Sequence, residues 1–155
     1  MARRRLSKSD LKELNEKISV LHLAVEKKDA VEILEDKDGK FFVVNGAPWL
    51  FEEKGRLIPH LKAVLSNTRI LPRVTVDAGA VKFVVNGADV MRPGVVGADE
   101  GIAKGDIVAV VEATHGKALA VGEALFDTKD LLAATGGKVV KSLHHVGDER
   151  WTKEF

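Results

Sequence analysis

Side chains able to do acid–base or metal chemistry are few and scattered in this sequence. Five histidines stand at His22, His60, His115, His144 and His145, with no HExxH spacing and no clustered acidic ligands. His144 and His145 are neighbours in a β-prone run, so their rings face opposite sides of a strand and cannot easily share one metal ion. A structural or surface role is expected for each, with base stacking open to His144 or His145. There is no cysteine, which removes disulfides, thiolate metal sites and thiol nucleophiles. Asp77 invites a catalytic reading because it ends a strand. With no evident partner it is expected instead to cap the next helix through the N–H of Gly79 or Ala80. No nucleophile–base pair, phosphate loop or dinucleotide signature is present, so neither an enzyme nor a cofactor is expected.

What remains is the chemistry of contact. Arg73, Lys82 and Arg92 flank a Gly-Ala segment in which Gly79 and Gly87 bracket a short helix, and Gly94 follows Pro93. Arginine offers phosphate a planar fork and lysine a point charge. Small residues let a polynucleotide backbone come close to main-chain N–H groups. Two plainer roles stay open: each base can be solvated or paired with Asp77 or Asp89, and each glycine can serve a tight turn in a small barrel.

These residues must be positioned by a chain of 155 residues, long enough for one compact domain or two small ones. Its 45% hydrophobic and 30% charged content suits a packed core and a solvated surface. No apolar run approaches the ~20 residues of a membrane span, and the basic start Arg3-Arg4-Arg5 leads into a polar segment rather than a secretory signal. A reducing cytoplasm is the expected location. Net charge is only +1, but it divides unevenly. Residues 1–72 carry 14 Lys/Arg against 11 Asp/Glu, a net of +3, and residues 73–155 carry 10 against 12, a net of −2. The bulk field does not announce nucleic-acid binding, so any RNA contact must come from local clusters. Arg3–Arg5 is balanced between an RNA-contacting arm and a disordered tail.

In the first half, Ser7 as N-cap with Asp10 three residues on predicts a helix from about Leu6 to Ile18, with Leu6 and Leu11 as a hydrophobic staple. Runs at 30–35, 40–44 and 47–51, separated by Asp36–Gly39 and Asn45-Gly46, predict an antiparallel meander. Pro59 is expected at the N1 position of a second helix that ends before Leu71-Pro72, the candidate domain boundary. In the second half, strands are expected at 74–76, 107–111 and 118–122, with a strand or loop at 90–95. Short helices are expected at 78–85 and 128–134, and a final hairpin joins 138–145 to 149–152 around Gly147-Asp148. Trp49 and Trp151 are expected in a core or domain interface. Short strands punctuated by glycine turns suggest a small closed or nearly closed barrel.

The stretch from Leu71 through Val76-Asp77, the Gly-Ala-rich helix, Gly87-Ala88 and Pro93-Gly94 resembles the opening of a PUA domain. Lys104-Gly105-Asp106-Ile107-Val108 and Ala120-Val121-Gly122 match the next two signatures of that family in order, over about residues 73–150. Leu57-Ile58-Pro59, Ile70-Leu71-Pro72 and the ending Gly147-Asp148-Glu149-Arg150-Trp151 resemble the malignant-T-cell-amplified-sequence family, which pairs a pre-PUA with a PUA domain. The eukaryotic members work with density-regulated protein on the small ribosomal subunit. The short, cysteine-free chain resembles an archaeal relative.

The resemblance implies an α+β protein: a pre-PUA α/β domain at 1–72 followed by a PUA β pseudo-barrel at 73–155. It implies binding of structured RNA, tRNA or rRNA, or of the small ribosomal subunit, with a protein partner in translation open. RNA is implied along the short helix and the strand after it. The residues concerned are Arg73, Gly79, Ala80, Lys82 and Phe83, then Asn86, Gly87, Arg92, Pro93 and Gly94. Two alternatives stand beside it: an accessory to a pseudouridine synthase or archaeosine transglycosylase, and a protein-interaction adaptor.

Overall fold

The computed structural model describes residues 2–21, 23–26, 28–67 and 69–155; His22 lies outside the described residues. The chain divides into two compact units, Met1–Ala63 with Glu154–Phe155, and Val64–Lys153.

The first unit is a five-stranded antiparallel sheet in the order β1-β2-β3-β4-β5, formed by β1 (Ala2–Arg5), β2 (Val31–Asp36), β3 (Gly39–Val44), β4 (Ala47–Glu53) and β5 (Arg56–Pro59). Helix α1 (Lys8–Ile18) starts on the expected capping box. The Asp10 N–H donates to Ser7 Oγ at 3.2 Å, and the Ser7 N–H donates to Asp10 Oδ2 at 3.1 Å. Its apolar stripe, Leu14 and Ile18, packs with Leu6, Val31, Ile33, Phe42 and Leu50. Trp49 is half-buried against this cluster. Phe155 closes the unit, its ring edge-on to the buried Phe41 at 5.2 Å and to the buried His60 at 5.7 Å.

Two expectations fail here. The arginines are neither a free arm nor a disordered tail: they form β1, paired with β2 through Arg3↔Leu34 and Arg5↔Glu32. Arg3 forks onto Glu32 at 3.1 and 3.2 Å, and Arg4 reaches Asp10 at 3.2 Å. Pro59 does not open a helix. It ends β5, paired opposite Leu50, at a strand position where the missing N–H is tolerated. Helix α2 (Leu61–Ser66) starts two residues later, where His60 Nδ1 accepts the Lys62 N–H at 3.1 Å.

The second unit is a six-stranded sheet in the order β7-β11-β10-β9-β6-β8, curled into a nearly closed barrel. Its strands are β6 (Arg73–Val76), β7 (Val90–Met91), β8 (Val95–Ala98), β9 (Ile107–Glu112), β10 (Ala118–Ala124) and β11 (Lys138–His145). Among the described residues of this sheet only β6 and β9 run parallel. Ile107–Val111 is buried at every position, as its continuous apolar run requires. Val74, Val76, Val108, Val110, Leu131, Val139 and Val140 fill the interior.

The helices are α3 (Ala78–Val84), α4 (Thr128–Ala133) and α5 (Glu149–Thr152). The segment 90–95 is broken by a 3-10 turn at Arg92–Gly94, where Pro93 cannot donate to a ladder. No hairpin closes the unit: the Asp148 carboxylate accepts the Trp151 N–H at 2.8 Å and caps α5 instead. An aspartate after a strand offers the backbone a helix start that turn propensity alone does not reveal. Trp151 is half-buried on that helix.

Candidate nucleic-acid interface

Helix α3 begins on Asp77, whose Oδ1 accepts the Ala80 N–H at 3.0 Å, as the capping expectation required. Replacing Asp77 with Ala should lower stability by about 1 kcal/mol, read from the midpoint of a urea titration. At the other end the Gly87 N–H returns to the Val84 carbonyl and the Ala88 N–H to the Phe83 carbonyl, both at 3.0 Å. This paired closure places Gly87 at φ +90°, where a side chain would be strained. The chain then turns back as β7 and the 3-10 turn, leaving a groove of about 450 Å³ between α3 and that return.

Gly79, Ala80 and Phe83 line one side of the groove, and Pro93 and Gly94 line the other. Gly94 allows the two sides to approach: a Cβ there would lie 3.0 Å from the Ala80 Cβ. Phe83 is 57% exposed and Met91 50%, so two large apolar side chains stand open to solvent at the groove. Asp77, Val84, Ala88, Asp89, Val90 and Met91 complete the lining and were not singled out as contact residues from the sequence.

The basic residues divide. Lys82 is exposed, with its Nζ 5.1 Å from the Phe83 ring centroid. Arg73 is exposed at the start of β6 and pairs with Asp99 at 3.4 Å, rather than with Asp77 or Asp89. Arg92 spends its guanidinium on two backbone carbonyls, Val95 and Leu132, each at 3.0 Å. Neither Arg73 nor Arg92 lines the groove, and Asn86 and Gly87 lie in the turn beside it. The partner of Asp89 is Lys138, with Nζ 2.7 Å from Oδ2, while the Ser142 N–H donates to Oδ1 at 2.7 Å. Burial pushes the Asp89 carboxyl up, but the bonds from Lys138 and Ser142 outweigh it and hold the group below its ordinary value. Lys138 lies 49 residues along the chain from Asp89. Only strand pairing brings it to Asp89, so no local pattern announces it.

His144 is fully buried with Nδ1 2.7 Å from Asp148 Oδ2, His145 is half-buried, and His115 is exposed. Among the described residues no cluster of three His, Cys, Asp or Glu is placed to hold a metal, and no helix is long and apolar enough to cross a membrane.

The barrel and its groove define a PUA-domain protein, an RNA-binding fold. The family model described as the PUA domain matches residues 72–146, and that described as a domain of unknown function (DUF1947) matches residues 2–67. The chain belongs to the family of the malignant T-cell-amplified sequence and translation machinery-associated 20 proteins. It is 41% identical to an uncharacterized protein of Methanocaldococcus jannaschii, covering 94% of this chain and 93% of that one. It is 34% identical to translation machinery-associated protein 20 of Saccharomyces cerevisiae, covering 85% of this chain and 77% of that one. Malignant T-cell-amplified sequence 1 of Rattus norvegicus is 30% identical, with coverages of 84% and 75%. The crystal structure of a hypothetical protein from Pyrococcus horikoshii superposes with a TM-score of 0.84 at 39% identity, covering 97% of this chain and 98% of that one.

Proposed function

We propose that this protein is a non-catalytic RNA-binding factor of the translation machinery in the cytoplasm, and that the α3–β7 groove takes an unpaired segment of tRNA or rRNA. The observation that carries this is the make-up of the groove: an open apolar channel with an exposed aromatic ring, beside which stand Lys82, over the Phe83 ring, and Lys138, paired with the lining Asp89. Unstacked bases bind aromatic side chains, while flanking phosphates seek cations. Asp77 caps α3 and Asp89 is paired with Lys138, so the lining offers a base an apolar surface and offers a phosphate no unpaired cation inside the channel. The name of the yeast relative, translation machinery-associated protein 20, supports the cellular role.

Binding of unfractionated tRNA should be followed by filter retention over a range of salt concentrations. Lys82→Ala and Lys138→Ala should each reduce the slope of log affinity against log salt by about 0.7, the value for one phosphate contact on a single strand. Slopes unchanged in both variants would remove both lysines from the interface. Wild-type binding no tighter than to a generic acidic polymer would overturn the RNA function itself.

A further inference from the structure

We propose that His145 is a positioning residue for this groove, its ring fixing the turn after α3 and thereby the wall formed by Ala88, Asp89 and Val90. The mechanism rests on geometry and its consequence rests on the RNA function proposed above.

A Cβ built on Gly87 would lie 2.9 Å from His145 Nε2 and 3.3 Å from Cδ2. The imidazole therefore lies directly against the backbone of the turn, with no room for a methyl group between them. The ring is not free to swing away. Its Nδ1 is 2.9 Å from the Val146 carbonyl oxygen, which only accepts, so Nδ1 carries a proton and donates. The His145 N–H donates to Asp148 Oδ2 at 2.9 Å, fixing the backbone from which the ring projects.

From Gly87 the chain runs straight into the groove lining. Strand β11 holds that stretch at three successive points. His145 presses on Gly87, Ser142 N–H and Lys138 Nζ bind the two oxygens of Asp89, and Val140 pairs with Val90. The last two are hydrogen-bonded or ionic and tolerate small displacements. The first is steric, so the Nε2 end of the ring sets how closely the turn can approach β11. Glycine at 87 is thus required twice, by its positive φ and by the ring beneath it.

The test compares His145→Ala, which removes the support, with His145→Phe, which restores a flat ring without its nitrogens. Two readouts are needed in the full chain: amide hydrogen exchange at Gly87 and Ala88, and affinity for fluorescein-labelled unfractionated tRNA. In His145→Ala, exchange at both amides should rise about tenfold relative to β9 and β10, and affinity should fall about fivefold. In His145→Phe, which keeps a ring but loses the Nδ1 bond to Val146 that anchors it, both should recover part of the change. Unchanged exchange in the alanine variant overturns the positioning role. So does faster exchange with unchanged affinity, or a folded phenylalanine variant that rescues neither quantity. A wild-type protein that does not bind tRNA overturns the RNA function instead, a result the exchange measurement separates from failure of the steric role.

Discussion

Asp148→Ala is expected to be among the most destabilising single substitutions in the second unit, lowering the free energy of unfolding by about 3 kcal/mol. One carboxylate there serves three donors from two elements. Oδ2 faces His144 Nδ1 at 2.7 Å and accepts the His145 N–H at 2.9 Å, and Oδ1 accepts the Trp151 N–H at 2.8 Å. His144 is fully buried, so a polar ring atom would lose its acceptor where water does not replace it. The start of α5 would lose its cap in the same step. Chemical denaturation monitored by tryptophan fluorescence reads the effect directly, because Trp151 lies on that helix. A midpoint within error of wild type would show that the cluster is dispensable.

The same carboxylate gives the unit a pH dependence of known sign. Burial alone would raise its affinity for a proton. The bonds from His144, from the His145 N–H and from the Trp151 N–H outweigh burial and hold the group far below the ordinary aspartate range. A carboxyl with a depressed folded-state value binds fewer protons folded than unfolded. Its stabilisation is therefore complete above the unfolded-state value of about 3.9 and declines as the pH falls below it. Wild-type stability should drop between neutrality and strongly acidic solution, with the loss concentrated below the unfolded-state value. In Asp148→Asn that part of the loss should be absent, and the difference between the two proteins should narrow as acid is added.

This cluster also marks where the sequence stopped being legible. Gly147-Asp148 looks like hairpin punctuation, yet the same aspartate is also a helix N-cap for Trp151 and an acceptor for His144 and His145, and the local pattern does not choose between a turn and a cap. The Pro59 misassignment has a similar cause. Proline before an apolar periodic run is a helix-start signal, yet β4 supplied a strand partner as far as residue 59 and deferred the helix. Ser7 with Asp10, and Asp77 with Ala80, have the same i,i+3 spacing as Asp148 with Trp151, but each precedes an apolar periodic run that marks a helix, whereas Asp148 follows a glycine that equally suits a hairpin turn. The groove divides by distance along the chain. Gly79, Ala80, Phe83, Pro93 and Gly94 are close in sequence and share the groove. Lys138, Ser142 and His145 reach it only through β11, at separations no local pattern encodes. Arg92 lies between two groove-lining residues, Met91 and Pro93, but its guanidinium donates to the Val95 and Leu132 carbonyls, the second of them on α4, a use no local pattern encodes.

The groove's affinity should depend most on Phe83. Its ring is 57% exposed at the mouth of an apolar channel, where water contacts its surface and no core residue competes for it. Base stacking on such a ring is worth about 1–3 kcal/mol by alanine substitution, so Phe83→Ala should weaken tRNA binding by roughly five- to 150-fold. Folding stability should move by no more than about 0.5 kcal/mol, because a largely exposed side chain gives up little packing. The salt dependence distinguishes this loss from that of a lysine. Stacking releases no counterions, so the Phe83→Ala line of log affinity against log salt should run parallel to wild type and below it. The Lys82→Ala line should instead converge on wild type as salt rises. Phe83→Trp offers a larger stacking face at the same place and should retain or tighten binding. A parallel loss in Phe83→Ala with retention in Phe83→Trp identifies a base on the ring. Wild-type affinity in Phe83→Ala would mean that the channel is not where RNA lies, whatever the lysines contribute.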